Sequence, residues 1–503
     1  MNHKYDAIVI GAGQAGPPLA ARFVAAGKSV AIIERHLLGG TCVNAGCTPT
    51  KTLIASARIA YDMRRAYEYG IELPTTGIAV NMRAVHARKE RIVGASRAGL
   101  ENWIRGMRNC TLYKGHARFE SAQSVSVDGQ VLTSEQIFIN VGGRPRIPVY
   151  PGIENVPFLT STSLLELGEL PAHLVIVGGS YVGLEFAQMY RRFGSDVTVI
   201  EKEPRLLSHE DVEVAAAIQT ALEAEGIQIR LGAECIQLAH DGESVTANVN
   251  CLSGSPQVTG SHVLMAVGRV PNTDDLGLEK AGVEMDHAGH IKVDDELRTN
   301  VPGIWALGDC NGKGAFTHTA YNDYEIVAAN LFGGNPRRRL SDRIPCYALF
   351  VDPPLGRVGL TERDALAQGH AIRIGSRPMT RVARAVEKGE TQGLMKIVVD
   401  ARSNLILGAS ILGVGGDEAI HSVIDVMAAK APYTTLQRTV HIHPTVSELI
   451  PTILGELVPT TSVSVKPRRY FAGRSVYTNF SPEISAANMR PPLAMVNTAM
   501  PVW

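Results

Sequence analysis

A strand, a glycine turn, a helix, a second strand and an acid occur twice in this chain, and that duplication restricts its fold more than any other feature. The first copy is Tyr5-Asp6-Ala7-Ile8-Val9-Ile10, the turn Gly11-Ala12-Gly13-Gln14-Ala15-Gly16, a helical pattern through Leu19, Ala20, Phe23 and Val24, a stop at Gly27, and a strand Val30 to Ile33 ending at Glu34. The second starts at Leu174: strand Val175-Ile176-Val177, turn Gly178-Gly179-Ser180-Tyr181-Val182-Gly183, helix from Leu184, strand Val197 to Ile200, then Glu201. Glycines let the backbone approach a pyrophosphate, the helix N-terminus receives its charge, and the acid accepts from a ribose hydroxyl. A glycine string alone is weak evidence. Here strand, helix and acid agree with it at both places, so two dinucleotides and an α/β fold are expected.

Composition narrows the class further. A chain of 503 residues suggests roughly three to four domains. With 45% hydrophobic and 19% charged residues it is an ordinary globular chain. Lys plus Arg and Asp plus Glu both total 49, a balance that argues against a nucleic-acid partner. No apolar run approaches the ~18 residues a spanning helix needs, and the opening MNHKYDAIVIGAG lacks signal-peptide architecture. Seven cysteines, an odd number, do not make a secreted disulfide scaffold. A cytoplasmic protein with no membrane partner is the expectation.

Between the two units lies a helical stretch, 51–105, then short β-like runs around an Asp128-Gly129 turn. From Tyr347 the pattern changes, with strands around Val358 and Met395 to Val399 and an apolar helix near Ala419 to Ala429, which reads as a third domain. The stretch Lys466 to Trp503 holds Pro467, Pro482, Pro491, Pro492 and Pro501 and no sustained period. It reads as a flexible tail; Tyr470, Phe471, Tyr477, Phe480 and Trp503 leave open a strap on a partner subunit.

The segment Gly39-Gly40-Thr41-Cys42-Val43-Asn44-Ala45-Gly46-Cys47-Thr48-Pro49-Thr50-Lys51 carries two cysteines five apart that lead into a helix. Such a pair can close a small disulfide ring, and a helix N-terminus lowers a thiol pKa. Two small buried hydrophobes are the bland alternative. The segment also closely resembles the redox-active segment of the flavin-dependent pyridine nucleotide-disulfide oxidoreductases, the family of glutathione reductase, lipoamide dehydrogenase and mercuric reductase. The resemblance covers about residues 4–460. Gly268-Arg269-Val270-Pro271-Asn272 resembles the return from the nicotinamide domain, and Ala306-Leu307-Gly308-Asp309 the second flavin motif. Asp352-Pro353-Pro354 with Val358-Gly359-Leu360-Thr361-Glu362 resembles the start of the dimerisation domain, and His443-Pro444-Thr445-Val446-Ser447-Glu448 the acid-base segment.

The resemblance implies two Rossmann-like domains, for FAD and NAD(P), plus a C-terminal α+β dimerisation domain. It divides the chain into a flavin domain at 1–150 and 272–345, a nicotinamide domain at 151–271, an interface domain at 346–465 and the tail at 466–503. It implies Cys47 as the charge-transfer thiolate against the flavin and Cys42 as the interchange thiol. The resemblance likewise implies that Lys51 pairs with Glu185 near the flavin and that Tyr181 is the flap over the nicotinamide pocket. His443, oriented by Glu448, protonates the leaving thiol from across a homodimer. Gly11, Gly13, Gly16, Glu34, Gly40, Thr41 and Asp309 are the flavin contacts it implies; Gly178, Gly183, Glu201 and Gly268 are the nicotinamide contacts. A metal-binding pair at His441 and His443 is the rival reading of that strand.

Departures from the family pattern bear on cofactor and substrate. Glu201 stands where NADPH enzymes usually carry arginine, and Leu207 replaces a further one, so NADH is expected over NADPH, with Lys202 and Arg205 as nearby cations. Ser180 replaces the middle glycine of the second turn. Ala21 and Glu325 fall where two glutathione-gripping arginines would be, so glutathione is not expected as substrate. Val43 and Phe316-Thr317-His318-Thr319 resemble the mercuric reductase branch, but no cysteine follows Cys346 and His443 is retained. Thr50-Lys51-Thr52-Leu53 and Tyr321-Asn322-Asp323-Tyr324 are similar to flavoproteins of reactive-chlorine resistance. The expected activity is reduction of a small or protein disulfide by NADH through FAD and Cys42–Cys47. The alternatives are mercuric reductase-like reduction of Hg²⁺ or Cu²⁺, and an NADH-sensing flavoprotein without turnover.

Overall fold

Short apolar runs alternating with helices build the first sheet. A computed structural model of the chain describes residues 2–74, 77–250, 254–333 and 336–459. In it Ile304–Ala306, Ile137–Ile139, Ala7–Ile10, Val30–Glu34 and Cys110–Lys114 lie side by side in that order, all parallel. Ala7–Ile10 is buried at every position, as a strand covered on both faces must be. The helix Gly16–Ala25 covers one face through Leu19, Ala20 and Phe23, which join Phe138, Ile326 and Val327 in one apolar cluster. One edge strand comes from residue 304, so everything between 140 and 303 is inserted into this sheet's connectivity.

The insertion repeats the plan. Phe158–Thr160, His262–Met265, His173–Val177, Asp196–Ile200 and Gln228–Arg230 form a second five-stranded parallel sheet. Both units also carry an antiparallel meander between their third and returning strands. In the first it is Arg118–Ser121, Ser124–Val127 and Gln130–Thr133; in the second, Glu234–His240, Val245–Asn250 and Gln257–Gly260. The duplication is therefore deeper than the glycine turns, but the meanders share no motif and their strands are too short for a clear period. The two chain crossings between the units pair with each other, Gly143–Pro145 against Arg269–Pro271.

The stretch 51–105 resolves into two helices, Cys47–Arg64 and Met82–Gly106, with Gly70 (φ 74°) and Pro74 in the gap between them. The third region is a six-stranded antiparallel sheet ordered Cys346–Leu349, Leu355–Gly359, Ile406–Leu412, Leu394–Asp400, Ile372–Pro378 and Val458–Pro459. Leu394–Asp400 is buried throughout, Lys396 included. Buried Lys396 satisfies its ammonium with Glu213 at 2.5 Å, Glu362 at 2.7 Å and Asp211 at 3.4 Å, which ties this sheet to the second unit. Among the described residues no helix is long and apolar enough to cross a membrane. The proline-containing tail, with Tyr470 to Trp503, lies outside the described residues.

Candidate active site

The two glycine turns are built alike. Gly11 (φ 104°) and Gly178 (φ 119°) take a backbone conformation that only glycine adopts readily, and a Cβ there would lie 2.2 and 2.3 Å from the carbonyls of Asn140 and Ala266. A Cβ on Gly16 or Gly183 would strike the carbonyl of Gly11 or Gly178 at 2.2 and 2.1 Å, so each helix start is pressed onto the strand end. Gly13 is open by contrast, its nearest neighbour being Asn140 Nδ2 at 3.4 Å, and Gly40 packs on Gly13. Glu34 accepts from the amides of Ala12 (2.9 Å) and His36 (2.8 Å); Glu201 accepts from those of Gly179 (2.6 Å) and Glu203 (2.9 Å). The helices Gly16–Ala25 and Tyr181–Phe193 have neither a side-chain cap nor an acid in the first turn. Both helix dipoles favour an anion at these starts. In the first, Pro17 and Pro18 carry no N–H and the Gly16 amide donates to the Gly13 carbonyl at 3.2 Å, so the backbone donors there must come from the turn itself. Both cradles fit the pyrophosphate of a dinucleotide.

A cavity of about 450 Å³ opens beside the second turn. Ser180 and Tyr181 line it from the second unit, Asp309 from the first, and Gly143, Gly268 and Arg269 from the paired crossings. Arg269 faces Asp309 at 3.4 Å and donates to Thr41 Oγ1 at 3.3 Å. Near Glu201 the two cations of concern are turned to other tasks. Lys202 is exposed and sits 3.6 Å from Glu203, and Arg205 donates to the Ser208 carbonyl at 2.6 Å. Leu207 takes a positive φ of 47°, and Glu325 accepts from Asn322 and Arg338 at 2.9 and 3.4 Å.

The cysteines sit on either side of a helix break. Cys42 belongs to the short helix Gly40–Ala45, and Cys47 is the first residue of Cys47–Arg64. Asn44 holds the loop by donating to the carbonyls of Leu38 and Gly40, both at 2.9 Å, while Arg97 donates to its Oδ1 at 2.9 Å. Cys47 is exposed and Cys42 half-buried. The hydrogen bond from Cys42 brings the Cys47 thiol down to about 6, helped by Thr317 and the charge of Lys51 and opposed by burial. The same contact and burial push Cys42 well above the ordinary thiol range. At neutral pH the negative charge lies on Cys47 and the proton on Cys42.

Thr317, whose Oγ1 lies 3.2 Å from Cys47 Sγ, escaped the sequence reading in this role. A contact between residues 270 apart has no local signal. Lys51 reaches Glu185 Oε2 at 2.6 Å and lies 4.6 Å over the ring of Phe350, whose amide donates to Glu185 Oε1 at 3.0 Å. His443 Nδ1 pairs with Glu448 Oε2 at 2.7 Å on a side chain that is 75% exposed, beside exposed Val440 and Ile442. Among the described residues no hydrogen bond joins His443 to Cys42 or Cys47. Among the described residues His441 has one hydrogen-bond partner, the Thr439 carbonyl at 3.1 Å. The His/carboxylate cluster with ligand spacing is elsewhere, at His86, Glu90 and Glu166, where the Lys89 ammonium already lies 2.6 Å from Glu90.

Residues 5–323 match the model of the pyridine nucleotide-disulphide oxidoreductases, and residues 346–453 match that family's dimerisation domain. The chain belongs to the pyridine nucleotide-disulphide oxidoreductase family. The family is FAD-dependent with a nicotinamide dinucleotide as substrate. Its members include RclA of Escherichia coli, 37% identical over 89% of this chain and 98% of that protein. Dihydrolipoyl dehydrogenase of Thermus scotoductus is 33% identical over 88% and 95%, and mercuric reductase of Streptomyces lividans 34% over 89% and 94%. A solved structure described as a Cu(II) complex of the HOCl-induced flavoprotein disulfide reductase RclA superposes with a TM-score of 0.81 at 35% identity, over 90% of this chain and 99% of that one.

The asymmetry between the cysteines is directly measurable. In the reduced, FAD-loaded protein, alkylation of Cys47 by iodoacetamide should rise with pH around a midpoint of about 6, because only the thiolate reacts. Thr317→Val removes a donor to that thiolate and should move the midpoint upward. An unchanged midpoint would show that Thr317 does not stabilise the charge.

Proposed function

We propose that this chain is an NADH-dependent flavoprotein disulfide reductase that passes two electrons through Cys42 and Cys47 to a small or protein disulfide. The carrying observation is the placement of Cys42 and Cys47 on either side of a helix break, with Thr317 Oγ1 3.2 Å from Cys47 Sγ and the Lys51–Glu185 pair beside them. Gly11, Gly13, Gly16, Glu34, Gly40, Thr41 and Asp309, from segments 1–150 and 272–345, would hold FAD. Gly178, Tyr181, Gly183, Glu201 and Gly268, from segment 151–271, would hold NADH. Bound FAD supplies the two-electron relay between the nicotinamide and the Cys42–Cys47 disulfide. Lys51, fixed by Glu185, places a positive charge beside the Cys47 thiolate.

In the reduced pair, Cys42 loses its proton to His443 and attacks one sulfur of the acceptor. The departing sulfur takes that proton from His443, whose imidazolium Glu448 orients. Cys47 then attacks Cys42, closing the internal disulfide and releasing the second sulfur as a thiolate, which takes its proton from solvent. One disulfide is reduced and one formed, so electrons balance. Because His443 is exposed and bonded to neither cysteine of its own chain, segment 346–465 is read as delivering it to the partner subunit's cysteines in a cytoplasmic homodimer.

A second acceptor class has a specific argument. Mercuric reductases are among the relatives, and a solved relative is a Cu(II) complex, so the dithiol is read alternatively as a reductant of Hg²⁺ or Cu²⁺. A sensor without turnover would have no use for Lys51–Glu185 or His443–Glu448 at 2.6 and 2.7 Å.

Two outcomes are expected. Cys42→Ser protein should still oxidise one equivalent of NADH at the flavin and lose disulfide turnover; full turnover would overturn the assignment of Cys42 as the attacking thiol. NADH should be preferred over NADPH by at least about tenfold in kcat/KM, the equivalent of ~1.4 kcal/mol for a phosphate facing Glu201. A ratio near one would assign the phosphate to Lys202 and Arg205.

A further inference from the structure

One aromatic residue of the cavity wall, Tyr181, has a support of its own. Tyr181 lines the cavity, and its ring lies 5.5 Å from that of Phe316, tilted by 39°. Phe316 lies nearly parallel to Tyr347, at 5.4 Å and 7°, and to His318, at 5.3 Å and 10°. Both neighbours are pinned outside the stack. The Tyr347 hydroxyl donates to Glu210, a buried carboxylate whose other oxygen faces Arg357 across 3.6 Å. His318 Nε2 donates to the carbonyl of Cys346 at 2.7 Å. Phe316 is also fixed through its backbone, with its amide donating to Thr319 Oγ1 at 3.1 Å and its carbonyl accepting from that hydroxyl at 2.7 Å. A mobile flap would thus rest on an aromatic ring held from several sides.

We propose that Phe316 is a positioning residue for the nicotinamide site: it is the seat on which Tyr181 closes, and NADH must lift Tyr181 off it to bind. The inference rests on the reading of the cavity as the nicotinamide site. A dinucleotide that binds only the lifted form has its affinity reduced by the fraction of molecules in that form. Strengthening the seat therefore weakens binding, and removing it tightens binding. An aromatic pair moves such an equilibrium by about two- to tenfold.

Titration calorimetry of the FAD-loaded protein with NAD⁺ tests this. Phe316→Leu, which keeps an apolar side chain and loses the ring, should lower the Kd by about two- to tenfold, with KM for NADH falling in step and KM for the disulfide unmoved. In a Tyr181→Ala background the same substitution should leave the Kd unchanged, because no flap remains to be seated. A purely structural role for Phe316 would act equally in both backgrounds. Phe316→Met serves the same measurement if the leucine variant fails to fold. Unchanged or weaker NAD⁺ binding in the single variant, or an equal shift in the Tyr181→Ala background, would overturn the seat. Failure of the wild-type holoprotein to bind NAD⁺ would overturn the reading of the cavity and this proposal with it.

Discussion

Everything at the candidate site is arranged around one negative charge, the thiolate of Cys47. A helix start, a hydroxyl from Thr317, a thiol from Cys42 and an ammonium from Lys51 converge on it. Cys42 and Lys51 are neighbours of Cys47 in sequence, but Thr317 and the groups that hold Lys51 come from distant parts of the chain. Thr317 belongs to the segment that returns to the first sheet after the second unit is complete. Lys51 is held in place by Glu185 of the second unit, and Glu185 is held by the amide of Phe350 at the start of the third. Splitting the first domain around the second is what allows this convergence, since the edge strand Ile304–Ala306 brings residues 309–317 back beside the cysteines.

Charge also fixes how the three regions meet. Arg192 is buried and pairs with Glu225 and Asp352, both at 2.7 Å, and Asp352 also binds Arg58 of the helix that carries Cys47. Lys396 makes a comparable knot with Asp211, Glu213 and Glu362. Burying ions costs several kcal/mol each and is offset only by close, complete pairing. Apolar contact alone tolerates sliding, whereas these pairs are satisfied in one arrangement. The Lys51–Glu185 pair needs that arrangement, because its partners arrive from different regions.

The sequence was most legible where chemistry is local. Glycine turns, the paired cysteines and the acids at strand ends can be read because each works within a few residues of itself. Glu34 and Glu201 lie at the ends of their strands, and each accepts from two amides of its own unit. The meanders were less legible, since four- to seven-residue strands alternate too briefly to stand out. Thr317, Asn44, Arg97 and Phe350 were illegible as site residues. Their contributions depend on distances across the fold, such as Arg97 to Asn44 at 2.9 Å, for which no spacing rule exists. His443 and Glu448 are intermediate: five residues apart, they form their pair locally, but the cysteines they would serve are not reached within the chain.

That separation is the central claim, and complementation between inactive chains tests it most directly. His443→Ala should slow the disulfide step by roughly 10²–10⁴-fold for a lost general acid-base group, and Cys42→Ser should abolish it. If each site takes its cysteines from one chain and its histidine from the other, a mixed dimer of the two variants has one site with both lesions and one with neither. Activity should then return to roughly half the wild-type rate per dimer. Dimers shown by sizing and mass to be mixed, yet inactive, would mean that each chain supplies its own histidine and would contradict the account.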